Sequence, residues 1–345
     1  MFDQSVPVLL GADVLLIGSG LFEACRTKRF DSLSRSSFTT TPARPSPASG
    51  SHGEVADEDE QSARISTSCA ENCRTVGSRP AIGTTMPLEQ PLLLDKLRVS
   101  GASETDNRNV RDVFRCIGDG VAEIVRSGAI GASDAAAALE SENRFGDVQL
   151  QADVAAEGVI RKSLSECPHV GIVSSEETPT SVVLRDGGEY GVAFDPLDGS
   201  SIIKSNFSVG SIFGIFRLKE GGAKRTFAGL GGADMVGAAY AVFGPRTVLV
   251  VGYEAGAPGV VEEYVLTSRG WEFQAKLSLA DSKKLMAPAN LRASAENEAY
   301  RLLVSKWMAD GYTLRYTGGM VPDIHNLMCK GGRYSPRPTT CARTP

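Results

Sequence analysis

Apolar residues recur at helical spacing between Asn109 and Ile130, and this is the first regular pattern in the folded part of the chain. They are Val110, Val113, Phe114, Ile117, Val121, Ile124 and Val125. This spacing places them on one face of an α-helix. Weaker patterns predict a second helix over 153–164 and a further one over 296–308.

Five short apolar segments bounded by Gly and Pro follow the second predicted helix. They are GIVSSEE, YGVAFD, SVGSIFGIF, AAYAVFG and TVLVVGY, between Gly171 and Tyr253. Runs of this length and composition are typical of buried β-strands. Helices followed by buried strands predict a layered α/β or α+β sandwich.

Residues 1–95 have a different composition from the rest. The stretch 26–53 is rich in Ser, Thr, Pro and Arg, and 54–60 is acidic, so we expect this region to be a disordered or targeting extension. Its apolar start, 6–22, contains Asp13 and is too short for a membrane span, so no membrane association is predicted. An apolar start before an acid-poor tract is compatible with a plastid address. We therefore expect a soluble protein and favour the plastid stroma over the cytoplasm.

Charge and cysteine content exclude some classes of protein. The net charge of −5 over 345 residues argues against binding nucleic acid through a basic surface. The seven cysteines are scattered and form no CxxC pair, so neither a disulfide framework nor a zinc site is predicted. The three histidines are far apart in sequence and are expected to be surface or packing residues.

Acidic residues stand at the ends of two predicted strands, where a solvated charge run is not expected. Glu176 and Glu177 end GIVSSEE, and Asp195 and Asp198 end the strand YGVAFD and its loop. Four converging carboxylates would repel one another and protonate, so a hard divalent cation such as Mg²⁺ is the simplest explanation. Taken singly, these segments could also be a surface corner and an Asx-type turn.

The segment Gly199, Ser200 and Ser201 follows Asp198 directly. Small residues in a turn can direct backbone N–H groups and hydroxyls at an anion, which is the chemistry of a phosphate cradle. Carboxylates for metal beside a phosphate cradle indicate metal-assisted displacement at phosphorus. The sequence therefore predicts a phosphatase.

Four motifs in this order resemble the fructose-1,6-bisphosphatase family. They are GDVQLQAD, SSEE, FDPLDGSS and RYTGGMVPD, between Gly146 and Asp323. Further segments, NFSVGSIFG, FGPRT, APANLRAS and YTLRYTGGMVPD, are more similar to the sedoheptulose-1,7-bisphosphatase branch of that family. The resemblance covers roughly residues 97 to 332. It implies the layered α-β-α-β-α sandwich of the sugar bisphosphatases, with an incomplete C-terminal part.

The resemblance also implies roles for individual residues. It implies that two or three Mg²⁺ ions are bound at each site by Asp147, Glu176, Asp195, the carbonyl of Leu197, and Asp198. Asp153 and Glu177 match the carboxylates that orient and deprotonate the attacking water. The positions that match substrate contacts are Gly199, Ser200 and Ser201 for the reacting phosphate, and Asn290, Arg315, Tyr316 and Met320 for the sugar and the distal phosphate. The arginine reaches across a subunit interface in the family, so a homodimer is expected.

The implied reaction is hydrolysis of the 1-phosphate of sedoheptulose 1,7-bisphosphate, a step of carbohydrate metabolism such as the Calvin cycle. Fructose 1,6-bisphosphatase activity is the alternative, and a catalytically silent relative that binds sugar phosphates is an alternative of another class. The implied domains are a metal- and phosphate-binding domain over 96–275 and a partial sugar-binding domain over 276–332. We expect 333–345 to be a tail unlike the family.

The sequence departs from the family pattern at several positions. On this resemblance, we expect the segment after Gly332 to lack the glutamate metal ligand and the phosphate-binding lysine that relatives carry there. Lys204 replaces an acid near the phosphate turn. Glu189 replaces a lysine of the AMP site in fructose-bisphosphatases, and 135–143 lacks the regulatory cysteine pair of plant relatives. We therefore expect neither AMP inhibition nor thioredoxin-type activation.

Overall fold

A computed structural model describes most of the chain from residue 94 to residue 335. The described residues are 94, 97–99, 101–132, 134–142, 148–178, 180–218, 227, 230, 234–253, 260–277, 283–288, 291–331 and 333–335. The extension predicted for 1–95 therefore lies almost entirely outside them. So do Asp147 and Asn290, to which the resemblance gave a metal and a substrate role.

Helix α1 spans Glu104–Ser127 and contains all seven residues of the predicted apolar face. It begins five residues earlier than the pattern predicted because Ser103 and Asp106 form a capping box, in which each side chain accepts from the other's backbone N–H at 3.1 Å. The first turn is polar, so the apolar pattern does not mark it. Val125, which the pattern placed on the buried face, is 41% exposed.

Helix α2 spans Gln151–Glu166 and agrees closely with the predicted 153–164. Helix α3 spans Glu298–Ala309 and matches the predicted 296–308, with Asn297 capping its first turn through an Oδ1 contact to the Tyr300 N–H. Helix α4 spans Met320–Lys330 and was not predicted.

The main sheet has eight strands in the order β10-β9-β8-β7-β6-β5-β3-β4. Their bounds are β3 Val170–Ser175, β4 Val182–Val183, β5 Tyr190–Asp198, β6 Val209–Arg217, β7 Met235–Phe243, β8 Thr247–Tyr253, β9 Val260–Thr267 and β10 Gly270–Lys276. Within this sheet β3 and β5 pair in parallel, and the other pairings are antiparallel. The five predicted strands correspond to β3, β5, β6, β7 and β8, and are confirmed.

Two smaller sheets complete the described strands. Strands β1 (Ala138–Glu142) and β2 (Val148–Leu150) form an antiparallel pair just before α2. Strands β11 (Leu285–Pro288), β12 (Thr313–Leu314) and β13 (Arg333–Ser335) form a parallel three-stranded sheet with β11 in the centre.

Helices and sheets alternate in layers, as the sequence predicted. Helices α1 and α2 pack on one face of the main sheet, and their apolar residues form one large core with the inward side chains of β5 to β8. Helix α4 packs on the opposite face through Val321, Ile324 and Met328. Its Leu327 packs against Leu285 and Ala287 of the small sheet. Helix α4 therefore lies between two sheets.

Candidate active site

The parallel pair β3 and β5 brings the predicted acidic residues to one edge of the main sheet. Ser175 of β3 lies opposite Phe194 of β5, and the Glu176 N–H donates to the Phe194 carbonyl at 3.1 Å. Because parallel strands end at the same edge, Glu176 and Asp195 become neighbours. The two acidic segments that the sequence placed at separate strand ends thus meet in space.

Asp195 is 6% exposed and lies among other carboxylates. Its Oδ1 accepts from the Leu197 N–H at 2.9 Å. Burial raises the pKa of Asp195 well above its ordinary value, and the nearby charges of Glu176 and Asp198 raise it further. Three acids in this arrangement disfavour one another's ionised forms, so the site is suited to a cation.

Asp198 is the last residue of β5 and is hydrogen-bonded to the start of α4. We call 176–177 and 195–198, the two segments that carry the acids, the acidic loops. Its Oδ2 accepts from the Val321 N–H at 2.7 Å, and it is also hydrogen-bonded by the backbone of Met320. Burial raises the pKa of Asp198 to about 6, although these two hydrogen bonds act in the opposite direction. The acid therefore lies at a helix N-terminus, where backbone N–H groups favour negative charge.

Gly210 of β6 makes this contact possible. A Cβ at this position would lie 2.4 Å from Val321 Cγ1 and 2.6 Å from the Ala241 carbonyl oxygen. Only a residue without a side chain lets α4 approach the sheet so closely. Gly210 belongs to the NFSVGSIFG segment, but no role was predicted for it.

Asp153 lies in the first turn of α2 and is 3% exposed. Its Oδ2 accepts from the Leu150 N–H at 2.8 Å. Burial raises its pKa, hydrogen bonds from Leu150 and the Ser200 side chain lower it, and the charge of Glu176 raises it again. Asp153 is thus close to both the acidic group and the predicted phosphate turn.

The predicted phosphate turn has the backbone shape that small residues permit. Gly199 has a left-handed φ of 81°. A Cβ added at this position would lie 3.1 Å from the Gly319 Cα. The following residues form a short 3₁₀ helix over Ser200–Ser205. The turn therefore packs against the GG pair that precedes α4, which joins two of the sequence motifs.

The remaining predicted residues lie around this centre. The Glu177 N–H donates to Ser175 Oγ at 3.1 Å, which fixes the bend after β3. Arg315 and Tyr316 are exposed and lie between β12 and α4, where the Arg315 N–H donates to the Met286 carbonyl at 2.8 Å. Met320 is half-buried at the first residue of α4.

Two buried polar residues near the site were not predicted. Asp323 is 3% exposed, and its Oδ1 accepts from the Thr317 N–H at 2.9 Å, so it closes the loop before α4. Ser211 is fully buried and donates to the Pro196 carbonyl at 2.7 Å, between the two acids of β5. Asp323 could have been found from the sequence, because it is an acid near the start of an apolar segment that follows two glycines, as in the first turn of a helix.

Comparison with known families agrees with this architecture. The family model described as "Fructose-1-6-bisphosphatase, N-terminal domain" matches residues 102–275. The model described as "Fructose-1-6-bisphosphatase, C-terminal domain" matches residues 279–343, which extends past Gly332.

Several proteins are similar to this chain over most of the described region. A chloroplastic sedoheptulose-1,7-bisphosphatase of Spinacia oleracea is 36% identical over 242 residues, which are 68% of this chain and 59% of the relative. A class 1 fructose-1,6-bisphosphatase of Helicobacter hepaticus is 34% identical over 203 residues, which are 59% of this chain and 67% of the relative. The chain thus spans less than two thirds of the length of its spinach relative.

Solved structures give the same result. A candidate sedoheptulose-1,7 bisphosphatase from Toxoplasma gondii superposes with a TM-score of 0.60 and 35% identity, covering 68% of this chain and 74% of that one. The holo form of Leishmania major fructose-1,6-bisphosphatase gives a TM-score of 0.58 and 25% identity, covering 71% and 78%.

The layered helices and sheets, with acids gathered where β3 and β5 end, define the sugar bisphosphatase fold. Both family models match in order along one sequence, and together they cover most of the described residues. The chain belongs to the fructose-1,6-bisphosphatase family.

Proposed function

We propose that this chain is a Mg²⁺-dependent sugar bisphosphatase that hydrolyses the 1-phosphate of sedoheptulose 1,7-bisphosphate to give sedoheptulose 7-phosphate and phosphate. The observation that carries the proposal is the meeting of Glu176, Asp195 and Asp198 at one edge of the sheet, beside the Ser200 turn. Carboxylates that raise one another's pKa beside an anion-binding turn are arranged for metal-assisted phosphate hydrolysis.

The donor set fits Mg²⁺. Glu176, Asp195, Asp198 and the Leu197 carbonyl offer only oxygen atoms, which are the ligands that this hard cation takes. Asp147 is assigned to a further ion on the resemblance alone. When bound, Mg²⁺ lowers the pKa of water and neutralises charge that develops on phosphate oxygens.

The protein side chains then bind and orient the reactants. The turn of Gly199, Ser200 and Ser201 would hold the reacting phosphate through backbone N–H groups and hydroxyls. Asp153 and Glu177 would orient the attacking water, and one of them would accept its proton. Asp153 suits this role because burial raises its pKa toward the working range of a general base.

The sugar would lie on the α4 side of the turn. We assign Arg315, Tyr316, Met320 and Asn290 to contacts with the sugar and the distal phosphate, since an exposed guanidinium suits bidentate phosphate binding. The larger number of motifs shared with the sedoheptulose-1,7-bisphosphatase branch favours the seven-carbon substrate. The class 1 fructose-1,6-bisphosphatase relatives support fructose 1,6-bisphosphate as the alternative.

We also propose a homodimer, because the role assigned to Arg315 needs a second subunit. The chloroplastic relatives favour the plastid stroma as its compartment, with the cytoplasm as the alternative. Among the residues that the structure describes, no helix is long and apolar enough to cross a bilayer.

The test is phosphate release from sedoheptulose 1,7-bisphosphate and fructose 1,6-bisphosphate in parallel, with and without Mg²⁺. We expect metal-dependent turnover that is faster with the seven-carbon substrate, and a loss of at least about 100-fold in Glu177→Gln, as is usual for general-base groups. Glu296→Gln is the matched control, because this glutamate is exposed and far along the chain from the acidic loops. Equal turnover in Glu177→Gln and the control would refute the role of Glu177.

Thermal stabilisation by the sugar bisphosphate distinguishes the remaining outcomes. Stabilisation without any turnover would favour the catalytically silent relative, since a ligand that binds only the folded state raises its stability. Turnover that is faster with fructose 1,6-bisphosphate would transfer the assignment to the alternative substrate.

A further inference from the structure

A buried carboxylate lies on the apolar face of β9, away from the acidic loops. Glu263 is 6% exposed, and its nearest neighbours on the same face are Val261 and Val265. Both valines pack in one apolar cluster with Ile324 and Met328 of α4. A carboxylate in such surroundings costs several kcal/mol unless it is paired or coordinates a metal.

Helix α4 presents to this carboxylate two side chains of types that can bind metals. His325 and Cys329 are four residues apart and therefore lie on one face of the helix. The Cys329 Sγ lies 3.8 Å from Glu263 Oε2 and 3.6 Å from His325 Nε2. The His325 Nε2 lies 4.0 Å from Glu263 Oε2. The three ligand atoms thus form a small triangle.

Tyr240 of β7 orients the histidine for this role. Its hydroxyl donates to Met328 Sδ at 3.3 Å and lies 3.2 Å from His325 Nδ1. A hydroxyl that donates its proton to sulfur can accept from Nδ1–H, which leaves the Nε2 lone pair facing Glu263 and Cys329. Histidine metal ligands usually donate their second ring N–H to a fixed acceptor in this way.

We propose that Glu263, His325 and Cys329 form a binding site for a zinc-type transition-metal ion, independent of the proposed Mg²⁺ site. In tetrahedral zinc sites with sulfur, nitrogen and oxygen ligands, the bond lengths place neighbouring ligand atoms about 3.4 to 3.6 Å apart. The separations here, 3.6 to 4.0 Å, approach these values before any ion draws the ligands together. A water would complete the tetrahedron.

The chemistry of the three ligands separates this site from the acidic loops. A thiolate and an imidazole favour zinc-type ions, whereas Mg²⁺ takes oxygen ligands. Cys329 is on the exposed side of the group, so an ion can enter from solvent, and on binding the thiol releases its proton to water. A bound ion would tie α4 to β9 across the interface between helix and sheet.

Titration of the reduced full chain with Co²⁺, in the presence of excess Mg²⁺, tests the proposal. Thiolate coordination gives sulfur-to-cobalt charge-transfer absorption in the near ultraviolet, which the oxygen ligands of the other site cannot produce. We expect this band to saturate at one cobalt per chain and to disappear when Zn²⁺ is added, because zinc binds such ligands more tightly than cobalt.

Substitutions assign the band to these residues. Cys329→Ser should abolish it, while Cys116→Ser, which changes a cysteine of α1, should leave it unchanged. Glu263→Gln should weaken cobalt binding, and Tyr240→Phe should weaken it about 10-fold to 100-fold through the orientation of His325. Circular dichroism in the absence of metal checks that each variant is folded.

Two results would overturn the proposal. One is the absence of a thiolate band in the folded full chain at any cobalt concentration that keeps the protein soluble. The other is a band of equal strength in folded Cys329→Ser, which would assign cobalt binding to a different cysteine. Phosphate release does not enter either criterion, so the outcome is separate from that of the proposed phosphatase activity.

Discussion

Replacing Asp198 by Asn should make the metal-free protein more stable and remove most of its stabilisation by Mg²⁺. Burial and the neighbouring acids raise the pKa of Asp198 from 3.8 to about 6. One pKa unit corresponds to about 1.4 kcal/mol, so keeping this carboxylate ionised in the folded protein costs about 3 kcal/mol. Asn retains an oxygen that can accept from the Val321 N–H, but it carries no charge.

The sign of the effect depends on pH. Because the pKa in the folded state is above the unfolded value, the folded state binds more protons between pH 3.8 and about 6. Destabilisation by Asp198 therefore grows as pH rises through this window and is complete above it. At pH 8 in EDTA we expect Asp198→Asn to unfold about 5 to 10 °C above the unmodified chain, and at pH 4 the difference should nearly vanish.

Adding Mg²⁺ should nearly cancel this difference in stability between the two proteins. At a concentration of 100 times its dissociation constant, a ligand stabilises the folded state by about 2.7 kcal/mol, and Asp198→Asn should lack most of this gain. Thermal unfolding followed by circular dichroism measures both arms, with Asp186→Asn at an exposed turn as the control for loss of one negative charge. A variant that is less stable than the unmodified chain in EDTA at pH 8, or that keeps the full Mg²⁺ shift, would refute the reasoning.

Two further predictions concern packing and regulation. Gly210→Ala should destabilise the fold by about 1 to 3 kcal/mol, because its Cβ would meet Val321 and the Ala241 carbonyl. The control is Gly158→Ala in α2, which should be neutral or stabilising because a Cβ there meets nothing within 4 Å. Equal effects of the two substitutions on the free energy of unfolding in urea would contradict this prediction. On the resemblance, Glu189 stands where fructose-bisphosphatases carry an AMP-site lysine, and it accepts from Asn109 Nδ2 at 3.0 Å, so micromolar AMP should not inhibit phosphate release; strong inhibition would contradict this. Because 135–143 contains no cysteine, mild reduction should not increase phosphate release, and a several-fold gain would count against this expectation.

The sequence predicted the elements whose faces are regular. Helices α1, α2 and α3 were found because their apolar residues recur at helical spacing, and strands β3, β5, β6, β7 and β8 because each is a short apolar run bounded by Gly and Pro. Strands β9 and β10 were not predicted. Glu262 and Glu263 make the centre of β9 look solvent-exposed, yet both are buried. The two buried glutamates interrupt the apolar run by which the other strands were predicted, so β9 was missed.

The residue types of the candidate site could be predicted from the sequence, but the contacts between its distant segments could be predicted only in part. Acids at two strand ends followed by a GSS turn indicated metal and phosphate chemistry from the sequence alone. Helix α4 was missed because Pro322 and the preceding glycines look like a loop, although proline is tolerated in a first helical turn. The bond from Asp198 to this helix, and the triangle of Glu263, His325 and Cys329, join distant segments, and such pairings have no local signal in one sequence.

The hydrogen bond between Asp198 and the Val321 N–H joins residues 123 positions apart, and this separation has a consequence for folding. Closing a loop of that length costs about 4 kcal/mol of chain entropy on a simple polymer estimate. Strand pairings from β5 to β10 form between near neighbours in the chain and can precede it. The acidic loop thus gains its last partner only when α4 docks, so a nascent chain acquires its main sheet before it acquires a finished site.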